Sequence, residues 1–144
     1  MPYNYEYKML KVNEIYVSVQ GESSYTGLPC VFVRLTGCNL RCEWCDTAYA
    51  FYEGKSMSID EIVGKVKNFG VKLVEITGGE PLMQENVYPL MNGLIEKGFQ
   101  VLLETGGSLS LEKVPRDIIK IMDIKCPGSG EHKNNNLDNL KFLE

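Results

Sequence analysis

Hydrophobic positions fall into short blocks along this chain, and the period of the blocks changes from one to the next. From Leu10 to Gln20 the run is rich in Val, Ile and Tyr, which predicts an extended segment or edge strand. A loop carrying Ser23, Ser24, Gly27 and Pro29 follows, and Val31-Phe32-Val33-Arg34-Leu35 then predicts a buried strand. After Thr47 the pattern is irregular. Ile59, Ile62, Val63, Val66 and Phe69 recur at helical spacing, behind the capping box Ser58-Ile59-Asp60-Glu61 and ahead of Gly70 as a stop. Val71 to Thr77 reads as a strand, the segment around Pro89 to Lys97 as a helix ended by Gly98, and Gln100 to Thr105 as a strand. Ser110 to Val114 is expected to be a short helix and Ile118 to Ile124 another strand. Lys125 to Asn136 is a loop rich in Pro, Gly and Asn, and Leu137 to Leu143 begins a final helix. The Tyr-rich residues before Met9 are expected to fray.

Strands alternating with helices predict an α/β fold with a parallel sheet and right-handed crossovers. Ligands of such sheets gather at the C-terminal ends of the strands. Four connections share that rim: the segment from Gly37 to Thr47, the turn Gly78-Gly79-Glu80-Pro81, the turn Thr105-Gly106-Gly107, and Lys125-Cys126-Pro127. No repeat or second compositional block divides the chain, so residues 1–144 are expected to form one domain. That length supports a real core but is short for a complete barrel.

Composition narrows the partners. With 44% hydrophobic and 24% charged residues the chain is of ordinary globular type, and its formal net charge is -4. Basic residues are scattered, which argues against a nucleic-acid or anionic-membrane surface and favours a small-molecule ligand. No apolar run reaches the ~18 residues of a transmembrane helix, and the first residues lack the pattern of a signal peptide. A cytoplasmic location is expected. Of five cysteines, three crowd together, which fits a metal site in a reducing compartment better than a disulfide framework.

Those three, Cys38, Cys42 and Cys45, are separated by three residues and then by two. Three thiolates hold three corners of a cubane iron-sulfur cluster, whereas a structural zinc site takes four ligands, and no fourth Cys or His sits at zinc-finger spacing. The fourth corner invites a small molecule. Cys30 reads as a core residue of its strand and Cys126 as a rim residue without an assigned role. His132, the sole histidine, reads as an exposed loop residue, which leaves no material for a Ser-His-Asp triad. Arg34 stands in an otherwise apolar strand and needs an anion: either a ligand carboxylate or an internal ion pair.

Cys38-x-x-x-Cys42-x-x-Cys45 together with Gly78-Gly79-Glu80-Pro81 after a strand resembles the radical S-adenosylmethionine (SAM) superfamily. That resemblance implies a partial (β/α) barrel and a 4Fe-4S cluster whose open iron is chelated by SAM. It also implies reductive cleavage of SAM to a 5'-deoxyadenosyl radical, fed by an electron donor such as flavodoxin or ferredoxin. Further stretches resemble the 7-carboxy-7-deazaguanine synthase family: Val19-Gln20-Gly21-Glu22, the run from Gly27 to Cys42, Trp44-Cys45-Asp46-Thr47, Thr77 to Pro81, and Glu104-Thr105-Gly106.

Members of that family convert 6-carboxy-5,6,7,8-tetrahydropterin to 7-carboxy-7-deazaguanine with loss of ammonia, on the way to queuosine, and are usually homodimers that use magnesium. By resemblance, Val19, Gln20, Gly21, Glu22, Arg34 and Thr77 would bind the pterin, with Arg34 on its carboxylate. Trp44, Cys45, Asp46, Gly78, Gly79, Glu80, Thr105, Lys125 and Pro127 would border SAM, and Thr47 would hold magnesium. Lys125-Cys126-Pro127 departs from the Ser-Pro-Lys form of the family, and family members continue beyond the equivalent of Leu143. Two other readings stay open: an activating enzyme for a glycyl-radical protein, and a shortened, non-catalytic iron-sulfur module.

Overall fold

The computed structural model describes residues 8–143, and the expectation of a frayed start falls largely outside them. Six strands form one open sheet: β1 Met9–Val19, β2 Pro29–Leu35, β3 Lys55–Ser58, β4 Leu73–Gly78, β5 Gln100–Thr105 and β6 Ile119–Met122. Their order is β3-β1-β2-β4-β5-β6. From β2 onward the neighbours are parallel, while β1 runs antiparallel to both β2 and β3. The fold is α/β, a partial (β/α) barrel whose parallel part begins at β2.

Two helices, α1 Ile59–Asn68 and α2 Val87–Glu96, supply the crossovers into β4 and β5. At the start of α1 the capping box is complete: Ser58 Oγ accepts from the Glu61 N–H, and Glu61 accepts from the Ser58 N–H at 2.7 Å. Ile59, Ile62 and Val66 of α1, with Leu90, Met91 and Leu94 of α2, pack against Val33, Leu35, Val74, Ile76, Val101 and Leu103 of the sheet. One face of the sheet is thereby buried under helices.

The opposite face carries the function. Side chains alternate along a strand, so residues two apart share a face. Toward the N-terminal ends of the parallel strands this face is apolar, with Cys30, Leu73 and Leu102 buried among Phe32, Ile119 and Ile121. One layer higher it turns polar. Arg34, Glu75, Thr77 and Glu104 stand there, and all four line one cavity.

Several expectations change. The irregular stretch after Thr47 contains β3, too short and polar to show a strand pattern but paired with β1 through Met9↔Ser58 to Val12↔Lys55. β1 is therefore an edge only beyond Val12. Ser110 to Val114 is turn and coil, not helix, because the Asn139 side chain takes the Leu111 N–H and donates to the Gly107 and Leu109 carbonyls. The last segment, Leu137–Phe142, is a 3-10 helix. β6 is shorter than its apolar run, and α2 starts two residues before Pro89. His132 is exposed, as expected.

Candidate active site

The cysteine loop leaves the end of β2 at Gly37, whose φ of +99° is open to glycine and strained for other residues. Its N–H donates to the Ala50 carbonyl at 2.8 Å, and its carbonyl accepts the Glu80 N–H at 2.8 Å. The loop is thus tied to the Gly78-Gly79-Glu80-Pro81 turn. The fit there is close: a Cβ on Gly79 would lie 2.6 Å from Cys38 Cβ. Arg41 ties the loop to itself. Its guanidinium donates to the Cys38 and Leu40 carbonyls at 2.7 Å and stacks 4.1 Å over the Phe51 ring.

Cys38, Cys42 and Cys45 all line a cavity of about 480 Å³ at the C-terminal rim. Among the described residues no three His, Cys, Asp or Glu side chains converge on one metal ion. A cubane does not need them to, because each thiolate binds its own iron. The Leu40 N–H points at Cys38 Sγ at 3.4 Å, the type of sulfur hydrogen bond that supports a thiolate ligand. Three thiols on one wall, with the Gly79 backbone pressed against them, fit a cluster with a ligand beside it.

Most other residues singled out in the sequence meet in the same cavity. Trp44, Asp46 and Thr47 line it, with Thr47 Oγ1 donating to Asp46 at 2.6 Å. Gly78, Gly79, Glu80, Thr105 and Lys125 line it from the rim turns, and Gln20, Gly21, Glu22, Arg34 and Thr77 from the sheet side. Val19 and Pro127 are not among the lining residues. Val19 points to solvent, and Pro127 begins a 3-10 turn whose Gly128 lies under the Trp44 ring.

Glu80 is spent inside the protein. It is 1% exposed and accepts from the Leu82 N–H at 3.1 Å, the Thr105 hydroxyl at 2.9 Å and the Gly106 N–H at 2.9 Å. Burial pushes its pKa up against those bonds, which pull it down. Glu80 therefore clamps two rim turns together. Lys125 pairs with Asp123 at 2.8 Å, which holds its ammonium charged despite burial. Asn135 brackets Lys125 through both its N–H and its carbonyl.

Arg34 has protein partners as well as an open side. Its Nε donates to Glu14 at 2.8 Å and its Nη2 to the Tyr16 hydroxyl at 3.1 Å. Burial alone would lower its pKa, but these bonds outweigh it. Nη1 makes no hydrogen bond to a described residue. The internal ion pair and the ligand grip that the sequence left as alternatives are thus compatible.

Sequence reasoning missed the acidic floor. Glu75, 3% exposed, accepts from the Gln20 amide, whose oxygen in turn accepts the Glu22 N–H. Glu104 accepts from Thr77 Oγ1 at 3.1 Å, and burial, then the bond and charge of Glu75, push its pKa up to about 7. Glu22 is raised too, first by Glu104. A glutamate inside an apolar strand, Leu73-Val74-Glu75-Ile76, was the available signal, of the same kind that drew attention to Arg34.

Comparison with known proteins agrees with this geometry. A 7-carboxy-7-deazaguanine synthase of Koribacter versatilis is 54% identical over 136 residues, and one of Chlorobaculum tepidum is 48% identical over 126. These alignments cover 93% and 88% of this chain but only 60% and 57% of those relatives, so the chain spans about three-fifths of their length. The crystal structure of QueE from Escherichia coli shares the fold, with a TM-score of 0.83 at 24% identity, covering 97% of this chain and 70% of that one. The model of the radical SAM superfamily matches residues 32–124, which include the cysteine loop and both rim turns. Such membership implies a 4Fe-4S cluster and SAM, the groups that the three thiols and the Gly79 wall fit. The match covers well over half of the sequence, and the chain belongs to the radical SAM superfamily.

Proposed function

We propose that this chain carries out the reaction named by its relatives, forming 7-carboxy-7-deazaguanine from 6-carboxy-5,6,7,8-tetrahydropterin with release of ammonia. The observation that carries the reading is the polarity of the single cavity: thiols on one wall, a half-buried arginine at one corner, and carboxyl groups across the floor. A pterin bearing a carboxylate offers the complement, an anion for Arg34 and a row of N–H donors for Glu22 and Glu104.

In this reading Cys38, Cys42 and Cys45 hold the cluster, and SAM lies along Gly78 and Gly79. When bound, the two supply a hydrogen-abstracting, one-electron chemistry. Arg34, oriented by Glu14 and Tyr16, grips the substrate carboxylate through its free Nη1 side. Gln20 and Thr77 act by holding Glu75 and Glu104, and Glu22 faces the pterin edge. Asp46 and Thr47 would take magnesium, which keeps waters and needs few protein oxygens. A flavodoxin- or ferredoxin-type donor, a homodimer and a cytoplasmic setting belong to the same reading.

The test is anaerobic reconstitution with iron and sulfide, then reductant, SAM, magnesium and the carboxytetrahydropterin. Deazaguanine is expected by chromatography, with none from Cys42→Ala. If SAM is cleaved and no deazaguanine forms, the substrate is wrong. Hydrogen abstraction from a protein partner in its place would indicate the activating enzyme, and a cluster that never cleaves SAM would indicate the non-catalytic module.

A further inference from the structure

Glu75 and Glu104 lie on adjacent parallel strands and the same sheet face: Glu75 is in register with Leu102, and Glu104 stands two residues further along β5. Their carboxyl groups are hydrogen bonded to each other, which requires a proton between them. The inner member is fixed. Glu75 is buried and held by the Gln20 amide, whose own backbone is locked by Leu28 and Gly27. The outer member is anchored by Thr77 and faces the cavity.

We propose that Glu75 and Glu104 share one proton and that Glu104 passes it to the nitrogen leaving the substrate, with Glu75 as the residue that keeps it available. This rests on the functional reading above. Release of ammonia from a ring is an elimination. The C–N bond breaks with its electron pair going to nitrogen, which must gain a proton to leave as neutral ammonia. A ring carbon loses a proton as its C–H pair becomes the new double bond of the aromatic pyrrole. The proton given and the proton taken balance, and no oxidant or reductant is consumed in this exchange. A pair holding one proton can give the first, accept the second and return to its starting state.

The surroundings favour that state. Glu22 and Asp123 add negative charge facing Glu104, and Cys30 beside Glu75 stays a neutral thiol, its pKa pushed up to about 12 by burial and then by Glu75. The cations are committed, Arg34 to Glu14 and Lys125 to Asp123. Loss of the proton would leave two carboxylates facing each other without a cation between them. Burial and the Glu75 charge place the titration of Glu104 near neutrality, where a general acid is most effective.

Two measurements test the idea. Infrared difference spectra of the substrate-free protein, titrated with alkali, should show a protonated-carboxyl band that disappears near neutral pH, and Glu104→Gln should lack it. In turnover, Glu104→Gln should lower deazaguanine formed per SAM cleaved by about 100-fold or more. Glu75→Gln, which removes a charge away from the substrate, should shift the alkaline limb of the pH-rate profile to lower pH. A merely structural Glu75 would change the amplitude and leave the limb in place. A missing band, or a limb that stays put in Glu75→Gln, overturns the proposal. A wild-type chain with the band but no deazaguanine overturns the functional reading and the donor role, and leaves the shared proton standing.

Discussion

Glu14 and Arg34 are directly opposed on antiparallel β1 and β2, and Glu14 Oε1 accepts from Arg34 Nε at 2.8 Å. The same oxygen accepts from the Tyr49 hydroxyl at 2.9 Å. A guanidinium held along one edge presents its other edge in a fixed direction, so little rotamer freedom is lost when a carboxylate docks. Arg34→Ala should weaken substrate binding by ~2–5 kcal/mol while iron and sulfide content stay at the wild-type level. Glu14→Gln keeps the shape and loses the charge. It should raise KM more than it lowers kcat, because it disturbs the orientation of Arg34 rather than the reacting atoms. Steady-state kinetics on both variants check this, and an unchanged KM in Arg34→Ala removes Arg34 from the site.

Glycines at two places should respond to alanine in opposite directions. At Gly79 the new methyl would meet Cys38 Cβ at 2.6 Å and the Gly37 carbonyl carbon at 2.8 Å, so Gly79→Ala should cost ~1–3 kcal/mol and displace the loop that carries the first cluster ligand. Reduced SAM affinity should accompany the loss. Gly64 lies within α1 with nothing within 4 Å of its would-be Cβ, and Gly64→Ala should stabilise by ~0.5–1 kcal/mol. Denaturant midpoints for the pair, with calorimetric SAM binding, provide the check. Equal effects at the two positions would mean that the Gly79 contact is not tight.

Stability should depend on pH through Glu104. Its pKa in the folded chain is raised, from 4.5 to about 7, so the folded state holds its proton more tightly than the unfolded state does. The resulting stabilisation is fully present below 4.5 and is lost as pH rises through about 7. Glu104→Gln keeps the shape and cannot ionise. Melting temperatures of wild type and variant, measured from pH 4.5 to 8, should show wild type falling relative to the variant across that window. Parallel curves would show that Glu104 ionises no differently in the two states.

Local chemistry was enough to read α1 with its capping box, the apolar strands β2, β4 and β5, the rim turns and the cysteine triplet. Each of these depends on neighbours in sequence: a cap three residues from its partner, a period of two or 3.6, thiols close enough along the chain to share one cluster. What the sequence alone determined was therefore a parallel α/β sheet with a three-thiolate loop at its rim, and the superfamily that this pairing marks.

Tertiary structure decided the rest. β3 has too few apolar positions to announce itself and exists because β1 offers it an edge. Glu80 looks like a ligand contact in sequence and is a clamp in space, because Thr105 and Gly106, more than twenty residues away, supply the donors it needs. Arg34 calls for an anion from sequence alone, but only strand pairing brings Glu14 opposite it. Glu75 and Glu104 are separated by a whole helix, and their shared proton arises from the lateral spacing of two parallel strands. Burial and the approach of two like charges are properties of the packed sheet, and no local pattern encodes them.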